Sequence, residues 1–270
     1  NDSFQIIVVD DNSDTPFLKE LKTLNLNSNV KLIFCDVSRG AGAARNIGLT
    51  YAKGKWILFA DADDFFVNGL EVLLNKYLQS DVDVVYFDTD SQDESGWQTF
   101  RHLRYSKLVK DFLHDTKKED ALRYFFTVPW GKMIKRDLIL SNNIKFDEIV
   151  ASNDVMFSLK TSFFAERIKA CPDILYIVSL SAGSVSKTIS RAHFDSKFKT
   201  VLKANEFLCS IGMRKYQQSV LYFLGRSYKF GLNYVLYVLI QLIRYRSNIF
   251  IGANKFLKIK NVLMDRENKI

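Results

Sequence analysis

The chain has 270 residues, of which 47% are hydrophobic and 25% are charged, and it contains only 3 prolines and 12 glycines. This composition excludes collagen-like, low-complexity and largely disordered proteins. A chain of this length can bury a substantial core without disulfide bonds or a structural metal. Its three cysteines lie far apart and form no CxxC pair. We therefore expect free thiols in a reducing cytoplasm rather than a disulfide or a zinc site.

The net charge of +8 is distributed unevenly along the chain. Residues 191–270 carry a charge of +11, whereas residues 1–190 carry −3. A shift of this size indicates two regions with different roles. We predict one domain over residues 1–190 and a separate basic region, which is helical, over residues 191–270.

Strand-like and helix-like segments alternate through the first part of the chain. Runs of apolar residues predict strands, and apolar residues at helical spacing predict helices. In chain order, the predicted elements are a strand at Phe4–Val9, a helix at Phe17–Leu24, a strand at Val30–Phe34, a helix at Ala43–Ala52, a strand at Trp56–Ala60, a helix at Gly69–Leu78 and a strand at Val82–Phe87. This alternation predicts βαβ units and a mixed, mainly parallel sheet flanked by helices, which is an α/β fold.

The pattern is looser after Asp88. The later predicted elements are a loop or turn at Ser91–Thr99, a helix at Lys117–Phe126, a short helix ending at Leu138–Ser141, a helix at Val155–Phe164, a strand at Asp173–Ser179 and a loop at Gly183–Arg191. From about Asp195 onward the spacing of apolar residues predicts helices.

The basic region contains an apolar stretch, Phe230–Ile243, with no charged residue. Its 14 residues are too few to span a membrane. We expect it to be mostly buried against other helices or a partner, because an exposed stretch would form a large apolar patch. Two interpretations stay open: a packed helical subdomain with a basic solvated face, or a region that lies on an anionic membrane surface. Exposure of this stretch as one contiguous face flanked by basic residues would favour the membrane-surface interpretation. The flanking basic residues are Arg226, Lys229, Arg244 and Arg246.

Three polar clusters follow three of the predicted strands. Asp10-Asp11-Asn12-Ser13 follows the first strand, residues 39–46 (RGAGAARN) follow the second, and Asp61-Ala62-Asp63-Asp64 follows the third. In a parallel α/β sheet, ligands bind at the carboxyl ends of the strands. We therefore expect the three clusters to converge on one edge of the sheet.

The third cluster contains a DxD pattern. In an extended segment, Asp61 and Asp63 would point to the same side and share one pocket. Two carboxylates so close are unfavourable unless a cation bridges them, and Mg²⁺ or Mn²⁺ suits such oxygen ligands. The alternative is a solvated turn in which Asp64 caps the next helix. A haloacid-dehalogenase-type phosphatase would need Thr or Val where Phe65 stands.

The second cluster nearly matches the dinucleotide-binding pattern GxGxxG/A. Arg45 occupies the sixth position, where close packing of helix and strand needs a small residue. We favour a flexible turn that opens a helix carrying Arg45. An arginine near carboxylates and phosphates can act as a bidentate clamp.

These segments together resemble the family 2 glycosyltransferases, which have the GT-A fold. The family pattern runs from a strand and DDGS to RG-xx-xARN-x-G and then to a hydrophobic strand and D-x-DD. The matching segments are IIVVDDNSD (6–14) and SRGAGAARNIGLTYAKGKWILFADADDFF (38–66). WGKMIKRDLI (130–139) is similar to the acceptor-side segment of the family, and NDVMFSLK (153–160) to its ED-x-x-F segment. The resemblance covers residues 1–190 and implies that they form the GT-A catalytic domain.

The resemblance implies roles for the residues of the three clusters. Asp10 and Asp11 would bind the base of the nucleotide, although either could instead cap a helix. Asp61 would contact the ribose and share the metal region, and Asp63 would bind the metal at the donor diphosphate. Arg45 would steady the base or the diphosphate.

The resemblance also implies a catalytic base and an acceptor side. Asp154 would deprotonate the acceptor hydroxyl, and the alternative is an N-cap for the helix at Val155–Phe164. Trp130 and Lys132 would lie on the acceptor side, although a ring such as Trp130 can equally belong to the core.

The expected function is an inverting, Mn²⁺- or Mg²⁺-dependent transfer of a sugar. The donor would be a nucleotide-diphosphate sugar, with a UDP-sugar favoured, and the acceptor a hydroxyl of a glycan or lipid-linked glycan, in polysaccharide biosynthesis at the bacterial cell surface. We expect a cytoplasmic protein, with the inner face of the membrane as a second location, and no nucleic-acid partner. The alternatives are a non-catalytic nucleotide-sugar-binding or membrane-scaffold protein, and a DxD phosphate-ester hydrolase.

Two features depart from the family pattern. The family normally begins with a strand, a Pro-x-Tyr-Asn turn and a helix before the strand that here is Phe4–Val9. We therefore expect a fragment, or a chain whose first residues are missing. The family's Glu in the later acidic pair is Asn153 here, which leaves Asp154 as the acid or base of that pair.

Overall fold

Two parallel strands, each followed by a helix, begin the fold. The computed structural model describes residues 4–23, 26–180 and 190–252. Its first elements are β1 (Ile6–Asp10), α1 (Thr15–Thr23), β2 (Val30–Phe34) and α2 (Ala41–Tyr51). β1 and β2 pair in parallel, with Asp10 opposite Phe34. The polar residues that follow the two strands therefore leave the sheet at the same end.

A second sheet of five strands lies in the order β3-β6-β5-β7-β4. Its strands and the intervening helices are β3 (Trp56–Ile57), β4 (Phe65–Phe66), α3 (Leu70–Asn75), β5 (Val84–Asp93), α4 (Leu103–His114), α5 (Glu119–Phe125), β6 (Lys132–Lys135), α6 (Arg136–Ser141), α7 (Val155–Phe164) and β7 (Ile168–Leu180). A 3₁₀ turn at Thr116–Lys118 precedes α5.

The pairing of the strands is mixed. The parallel pairs are the long ones, with five residue pairs between β1 and β2 and ten between β5 and β7. The three antiparallel pairs join only two or three residues each. This confirms the predicted mixed and mainly parallel α/β sheet.

Helices cover both faces of the five-stranded sheet, so β5 is buried on both sides. Val84 and Tyr86 belong to one apolar cluster and Val85 and Phe87 to the other. Successive side chains of a strand point to opposite faces, which explains this alternation. A strand that is buried on both faces reads as a continuous apolar run, as Val82–Phe87 does.

Several elements differ from the sequence expectation. Helix α4 was not predicted, although Tyr105, Leu108, Val109 and Phe112 follow helical spacing. The strand expected at Trp56–Ala60 pairs with β6 over only two residues, Trp56 and Ile57. The three cysteines, all within the described residues, are free thiols.

The chain divides into two compact units, Asn1–Thr188 and Ile189–Ile270. The described part of the second unit contains α8 (Arg191–Ser210), α9 (Leu221–Ser227) and α10 (Leu232–Arg244), joined by 3₁₀ turns at Arg214–Tyr216 and Tyr228–Phe230. Residues 190–252 include no strand. Their core consists of Phe194, Phe198, Leu202, Val220, Phe223, Tyr234, Val238 and Leu242.

The expected burial of Phe230–Ile243 against other helices was wrong. Only Tyr234, Val238 and Leu242 of this stretch are buried. A helix packed on one side buries a single stripe, and α10 carries large apolar residues on its other side as well. Among the described residues, no helix has the length and apolar character required to cross a membrane. Most of the predicted loop at Gly183–Arg191 lies outside the described residues.

Candidate active site

Asp10 and Asp11 stand at the end of β1 and hold two different backbone segments. Asp10 is buried, and its Oδ2 accepts a hydrogen bond from the Ser13 N–H at 3.1 Å across a turn in which Asn12 has a φ of 65°. The Asp11 carboxylate accepts hydrogen bonds from the N–H groups of Arg39 at 2.9 Å and Gly40 at 2.7 Å. The first cluster therefore contacts the second cluster directly.

The hydrogen bonds of Asp11 keep it ionised. The Ser38 hydroxyl also donates to its carboxylate, at 2.8 Å. Burial by itself would raise the pKa of Asp11, but the donors from Arg39, Ser38 and Gly40 outweigh that effect and hold the pKa below its ordinary value. Asp11 thus has a positioning role that the sequence analysis did not assign to it, and its predicted contact with the nucleotide base stays a prediction.

The two glycines at the start of α2 have different physical requirements. Gly40 has a φ of 85°, which favours glycine, and there is open space where its Cβ would be. Gly42 needs room instead, because an added Cβ would lie 2.2 Å from the Asp147 carbonyl oxygen and 3.1 Å from the Asn153 Cβ. The start of α2 therefore packs directly against the segment that leads to Asp154.

Arg45 joins the second cluster to the third. Its guanidinium forms an ion pair with Asp61 and donates to the Asn153 Oδ1 at 2.9 Å. The group lies over the Phe146 ring, 5.4 Å from the centroid, and is half-buried. One planar cation thus links the DxD turn to the beginning of α7 through separate nitrogens, a role that a lysine ammonium could not reproduce.

Asn46 and Arg39 fix the segment before α7 to α2. The Asn46 side chain accepts from the Phe146 N–H at 2.9 Å and donates to the Phe146 carbonyl at 3.0 Å. Arg39 forms an ion pair with Glu148. These contacts give the first and last residues of the RGAGAARN segment a structural role, with partners, Phe146 and Glu148, that the sequence pattern did not indicate.

The DxD segment forms a turn rather than the expected extended strand. The Asp64 N–H donates to the Asp61 carbonyl at 3.1 Å. The hydroxyl of Tyr176 accepts from the Asp61 N–H at 2.8 Å and donates to the Asp64 carboxylate, which also accepts from the Ser179 N–H at 2.7 Å. Asp64 does not cap the next helix, because α3 begins only at Leu70.

Burial and its neighbours shape the titration of Asp64. Burial, with smaller contributions from the nearby Asp63 and Asp61, raises the pKa of Asp64 to about 6 despite the hydrogen bonds from Ser179 and Tyr176. Tyr176 is fully buried in β7. In the sequence, Tyr176 stands inside an apolar run that predicts a strand. Because a buried tyrosine hydroxyl requires a hydrogen-bond partner, this position could have indicated that Tyr176 holds a polar group.

Asp63 differs from its neighbours in the turn. It is exposed, and it has no hydrogen bond or ion pair within the part of the chain that the structure describes. The same residues contain no group of three or more His, Cys, Asp or Glu side chains that could hold a metal. A metal at this turn would therefore have Asp63 and Asp61 as its protein ligands. That set suits Mg²⁺ or Mn²⁺, which commonly combine one or two carboxylates with phosphate oxygens.

Asp154 occupies the N-cap position of α7, but its side chain makes no capping hydrogen bond. The N-cap alternative therefore does not describe its carboxylate. Burial raises the pKa of Asp154 and Asp61 raises it further, whereas Arg45 and Lys132 act in the opposite direction. A half-buried carboxylate with a raised pKa and no capping role has the properties of a general base.

The two acceptor-side residues lie in the core. Lys132 is fully buried, and its Nζ donates to the Phe126 carbonyl at 2.7 Å. Burial lowers the pKa of Lys132 to about 7, and Asp154 opposes this shift. The Trp130 ring is buried and stacks on the Tyr176 ring, with centroids 5.5 Å apart. In this position Trp130 supports the residue that holds the DxD turn, and a direct contact with an acceptor stays a prediction for both residues.

The structure brings the three predicted clusters together with the beginning of α7. Asp11 contacts residues 38–40, and Arg45 contacts both Asp61 and Asn153. The three clusters therefore converge, but they follow strands of two different sheets rather than one edge of a single sheet. Arginine and backbone contacts join them, rather than two carboxylates in an extended strand.

Known proteins resemble the chain in sequence and in fold. The uncharacterized glycosyltransferase YibD of Escherichia coli is 28% identical over 193 residues, which are 68% of this chain and 55% of the relative. A cholesterol galactosyltransferase of Borreliella burgdorferi is 30% identical over 204 residues, with 70% of this chain and 55% of the relative covered. The chain thus spans about half the length of these relatives.

A crystal structure of Staphylococcus aureus TarS residues 1–349 in complex with UDP-GlcNAc superimposes with a TM-score of 0.63. The match covers 90% of this chain and 72% of that one at 19% identity, and it shows the GT-A fold. A family model described as Glycosyl transferase family 2 matches residues 1–140, just over half of the chain. The expected family and fold are confirmed, and the chain belongs to glycosyl transferase family 2.

Proposed function

We propose that this chain transfers a sugar from a nucleotide-diphosphate donor to a hydroxyl of a glycan or lipid-linked glycan, with inversion at the anomeric carbon. A UDP-sugar is the favoured donor. Relatives named as a galactosyltransferase and as a poly(ribitol-phosphate) β-glucosyltransferase of Bacillus spizizenii support a hexose as the transferred group. The observation that carries the proposal is the Arg45 bridge, which joins the DxD turn to the segment that bears Asp154.

On the donor side, the contacts of this chain order a binding edge. Asp11 fixes the loop before α2, and Arg45 is held near Asp61 by its ion pair. A guanidinium at this edge can form bidentate hydrogen bonds to a diphosphate. Asp10 and Asp11 lie at the end of β1, where carboxylates can accept from the ring N–H of uracil.

A divalent cation fits this edge through Asp63, with Asp61 beside it. When bound, Mn²⁺ or Mg²⁺ would offset the negative charge of the departing diphosphate. The Asp63 carboxylate supports this assignment, because it is exposed and has no partner among residues 4–23, 26–180 and 190–252. Asp64 belongs to the support of the turn, because Tyr176 and Ser179 already hold its oxygens.

On the acceptor side, Asp154 takes the proton. The acceptor oxygen forms a bond to the anomeric carbon while the bond from that carbon to the diphosphate oxygen breaks. The acceptor proton moves to the Asp154 carboxylate, and the electron pair of the broken bond leaves with the nucleotide diphosphate. The raised pKa of Asp154 makes it a stronger base than an ordinary aspartate while leaving it able to ionise.

Release of UDP from a panel of UDP-hexoses with Mn²⁺ tests the proposal, with and without glycan and lipid-linked acceptors. We expect UDP release that an acceptor accelerates, and product with inverted anomeric configuration by NMR. Phosphate release from simple esters without a nucleotide-sugar would instead support a phosphate-ester hydrolase.

A second candidate is a nucleotide-sugar-binding protein without turnover. Asn153, which replaces the family's Glu, favours it, because its side chain here serves Arg45 rather than a substrate. This candidate predicts that UDP-sugars raise the melting temperature in the presence of Mn²⁺ but release no UDP. Donor hydrolysis above the uncatalysed rate would eliminate it.

A further inference from the structure

Helix α10 presents a row of large apolar side chains on its outer face. The exposed fractions are 84% for Leu232, 59% for Leu236, 40% for Leu239, 52% for Ile240 and 81% for Ile243. Monomeric soluble proteins rarely expose contiguous apolar patches of this kind without a binding partner.

The spacing of these residues places them on one side of the helix. They follow one another at intervals of four, three, one and three residues, which is the pattern of a single helical face. The buried residues Tyr234, Val238 and Leu242 recur every four residues and belong to the core of the second unit. The helix therefore has one face that contributes to a core and an opposite face that is apolar and uncovered among the described residues.

The charged residues in the sequence around α10 are all basic. Residues 207–252 contain six Lys or Arg and no Asp or Glu. The Asp195 carboxylate, which accepts a hydrogen bond from the Tyr234 hydroxyl of α10, is already paired with Arg191. Lys229, Arg244 and Arg246 are exposed, and none of them forms an ion pair within the described ranges. Arg226 is half-buried and lies over the Tyr222 ring, 4.9 Å from its centroid. Exposed cations beside an apolar face suit a partner that supplies both anions and hydrocarbon.

We propose that α10 docks this chain on an anionic lipid bilayer, lying parallel to the surface with its apolar row among the acyl chains. Lys229 and Arg244, just before and at the end of the helix, and Arg246 beyond it would contact lipid phosphates. The 13 residues of α10 extend about 20 Å, which suits a helix in the interface and not one across the bilayer.

A second copy of the chain fits this surface less well. In a two-fold dimer built on α10, the same cations of both copies would approach one another, and residues 207–252 supply no carboxylate to pair with them. An anionic bilayer removes that repulsion. The proposal does not depend on the proposed transfer reaction, since its residues lie outside the candidate active site.

Co-sedimentation of the full chain with vesicles tests the docking surface. We expect binding to phosphatidylcholine vesicles that contain phosphatidylglycerol, and little binding to phosphatidylcholine alone. Binding should weaken as salt is raised, because charges are screened over about 10 Å at 0.1 M salt. The Arg244→Glu/Arg246→Glu variant should bind the anionic vesicles at least about tenfold more weakly.

An apolar test variant and two matched controls separate docking from general surface effects. The test variant, Leu236→Ser/Ile240→Ser, should lose vesicle binding and keep its fold by circular dichroism, since both residues are more than half exposed. Val72→Ser, at a 70% exposed apolar position of α3, should bind like the unchanged chain. Lys19→Glu/Lys118→Glu is the corresponding charge control, because both lysines are exposed in the first unit. Leu232→Ser/Ile243→Ser provides an independent apolar variant.

Three results would overturn the proposal. One is failure to sediment with either kind of vesicle, and another is equal binding by the α10 variants and the controls. The third is a concentration-dependent dimer in analytical ultracentrifugation that Leu236→Ser/Ile240→Ser abolishes, which would assign the face to a second copy.

Discussion

The candidate site in the first unit and the surroundings of α10 in the second differ in how their cations are paired. In the first unit, Arg45 meets Asp61 and Arg39 meets Glu148, so that these cations position the loops of the candidate site. In the second unit, Lys229, Arg244 and Arg246 have no carboxylate partner among the described residues. Charges that are paired within the chain build a site for a small charged ligand, whereas unpaired charges beside an apolar face remain available to a surface.

This contrast implies that the two functions can be separated by mutation. Substitutions around Arg45 should change donor binding and transfer without changing vesicle binding. Substitutions on α10 should weaken vesicle binding without changing donor binding or transfer to a soluble acceptor. The predictions below address the first unit, with vesicle binding as the common readout that should stay constant.

The largest effect is expected from Asp154→Asn. The variant should bind UDP-sugar normally and transfer sugar about 10²- to 10⁴-fold more slowly, because only the proton acceptor is removed. Since the Asp154 side chain makes no capping bond, the melting temperature should hardly change. Calorimetry for donor binding and UDP release for transfer measure the two quantities. Asp137→Asn, which removes an exposed carboxylate from the first turn of α6, is the matched control.

The pH profile supplies a second readout for the same residue. Because the pKa of Asp154 is raised and the base must be ionised, the transfer rate should fall as the pH is lowered through that pKa, above the ordinary value of 3.8. The acid limb should disappear in Asp154→Asn. A parallel loss of donor affinity and rate would point to a structural role instead.

The next effect is expected from Asp63→Asn. Loss of this carboxylate should reduce donor affinity in the presence of Mn²⁺ by at least about tenfold, since even indirect partners of metal ligands commonly contribute that much. Affinity without metal should be unchanged. Titration of UDP with and without Mn²⁺ measures the difference, with Asp137→Asn again as the control. Mn²⁺ should strengthen UDP binding by the unchanged chain but not by Asp63→Asn. If Mn²⁺ strengthens binding equally in both proteins, Asp63 is not a metal ligand.

The sequence predicted the site where patterns are local. The ends of β1 and β2 and the bounds of α7 follow from short apolar runs, and the parallel pairing brings their polar neighbours together. The contacts of Asn46 with Phe146 and of Asp61 with Tyr176 join residues at least 100 positions apart. No periodicity encodes such contacts, because they depend on how the sheet and α2 pack.

The apolar stretch of α10 shows the other limit. The apolar composition of this stretch predicted burial of its side chains, but composition does not specify what packs against them. The core of the second unit uses one stripe of the helix, and only the structure identifies which residues remain outside.

A smaller effect is expected from Gly42→Ala, with Gly48→Ala on the same helix as its control. The new Cβ at position 42 would lie 2.2 Å from the Asp147 carbonyl oxygen, so the segment before α7 must shift. Overpacking of this kind costs about 1–3 kcal/mol of unfolding free energy. At position 48 the nearest atom would be a Val9 methyl at an ordinary 3.6 Å, so alanine should be tolerated there. Urea unfolding compares the two, and equal stability of both variants would show that the close approach is unimportant.

The smallest effect is expected from Tyr176→Phe. This change keeps the ring that stacks on Trp130 but removes the hydroxyl that joins the Asp61 N–H to the Asp64 carboxylate. The variant should lose about 1 kcal/mol of unfolding free energy, as expected for one hydrogen-bonding group. The turn should also be less well held, so that donor affinity with Mn²⁺ falls by a few-fold, about 1 kcal/mol.

Tyr86→Phe is the matched control for this effect. Tyr86 is also fully buried, and its hydroxyl bonds the Ser162 hydroxyl at 2.8 Å, away from the DxD turn. Both variants should therefore be destabilised by similar amounts, because each loses one buried hydroxyl. Only Tyr176→Phe should weaken metal-dependent donor binding, and neither should alter binding to anionic vesicles. Equal donor affinity in the two variants would show that Tyr176 only packs in the core. The DxD turn would then be held by the Asp64–Ser179 hydrogen bond and the Arg45–Asp61 ion pair.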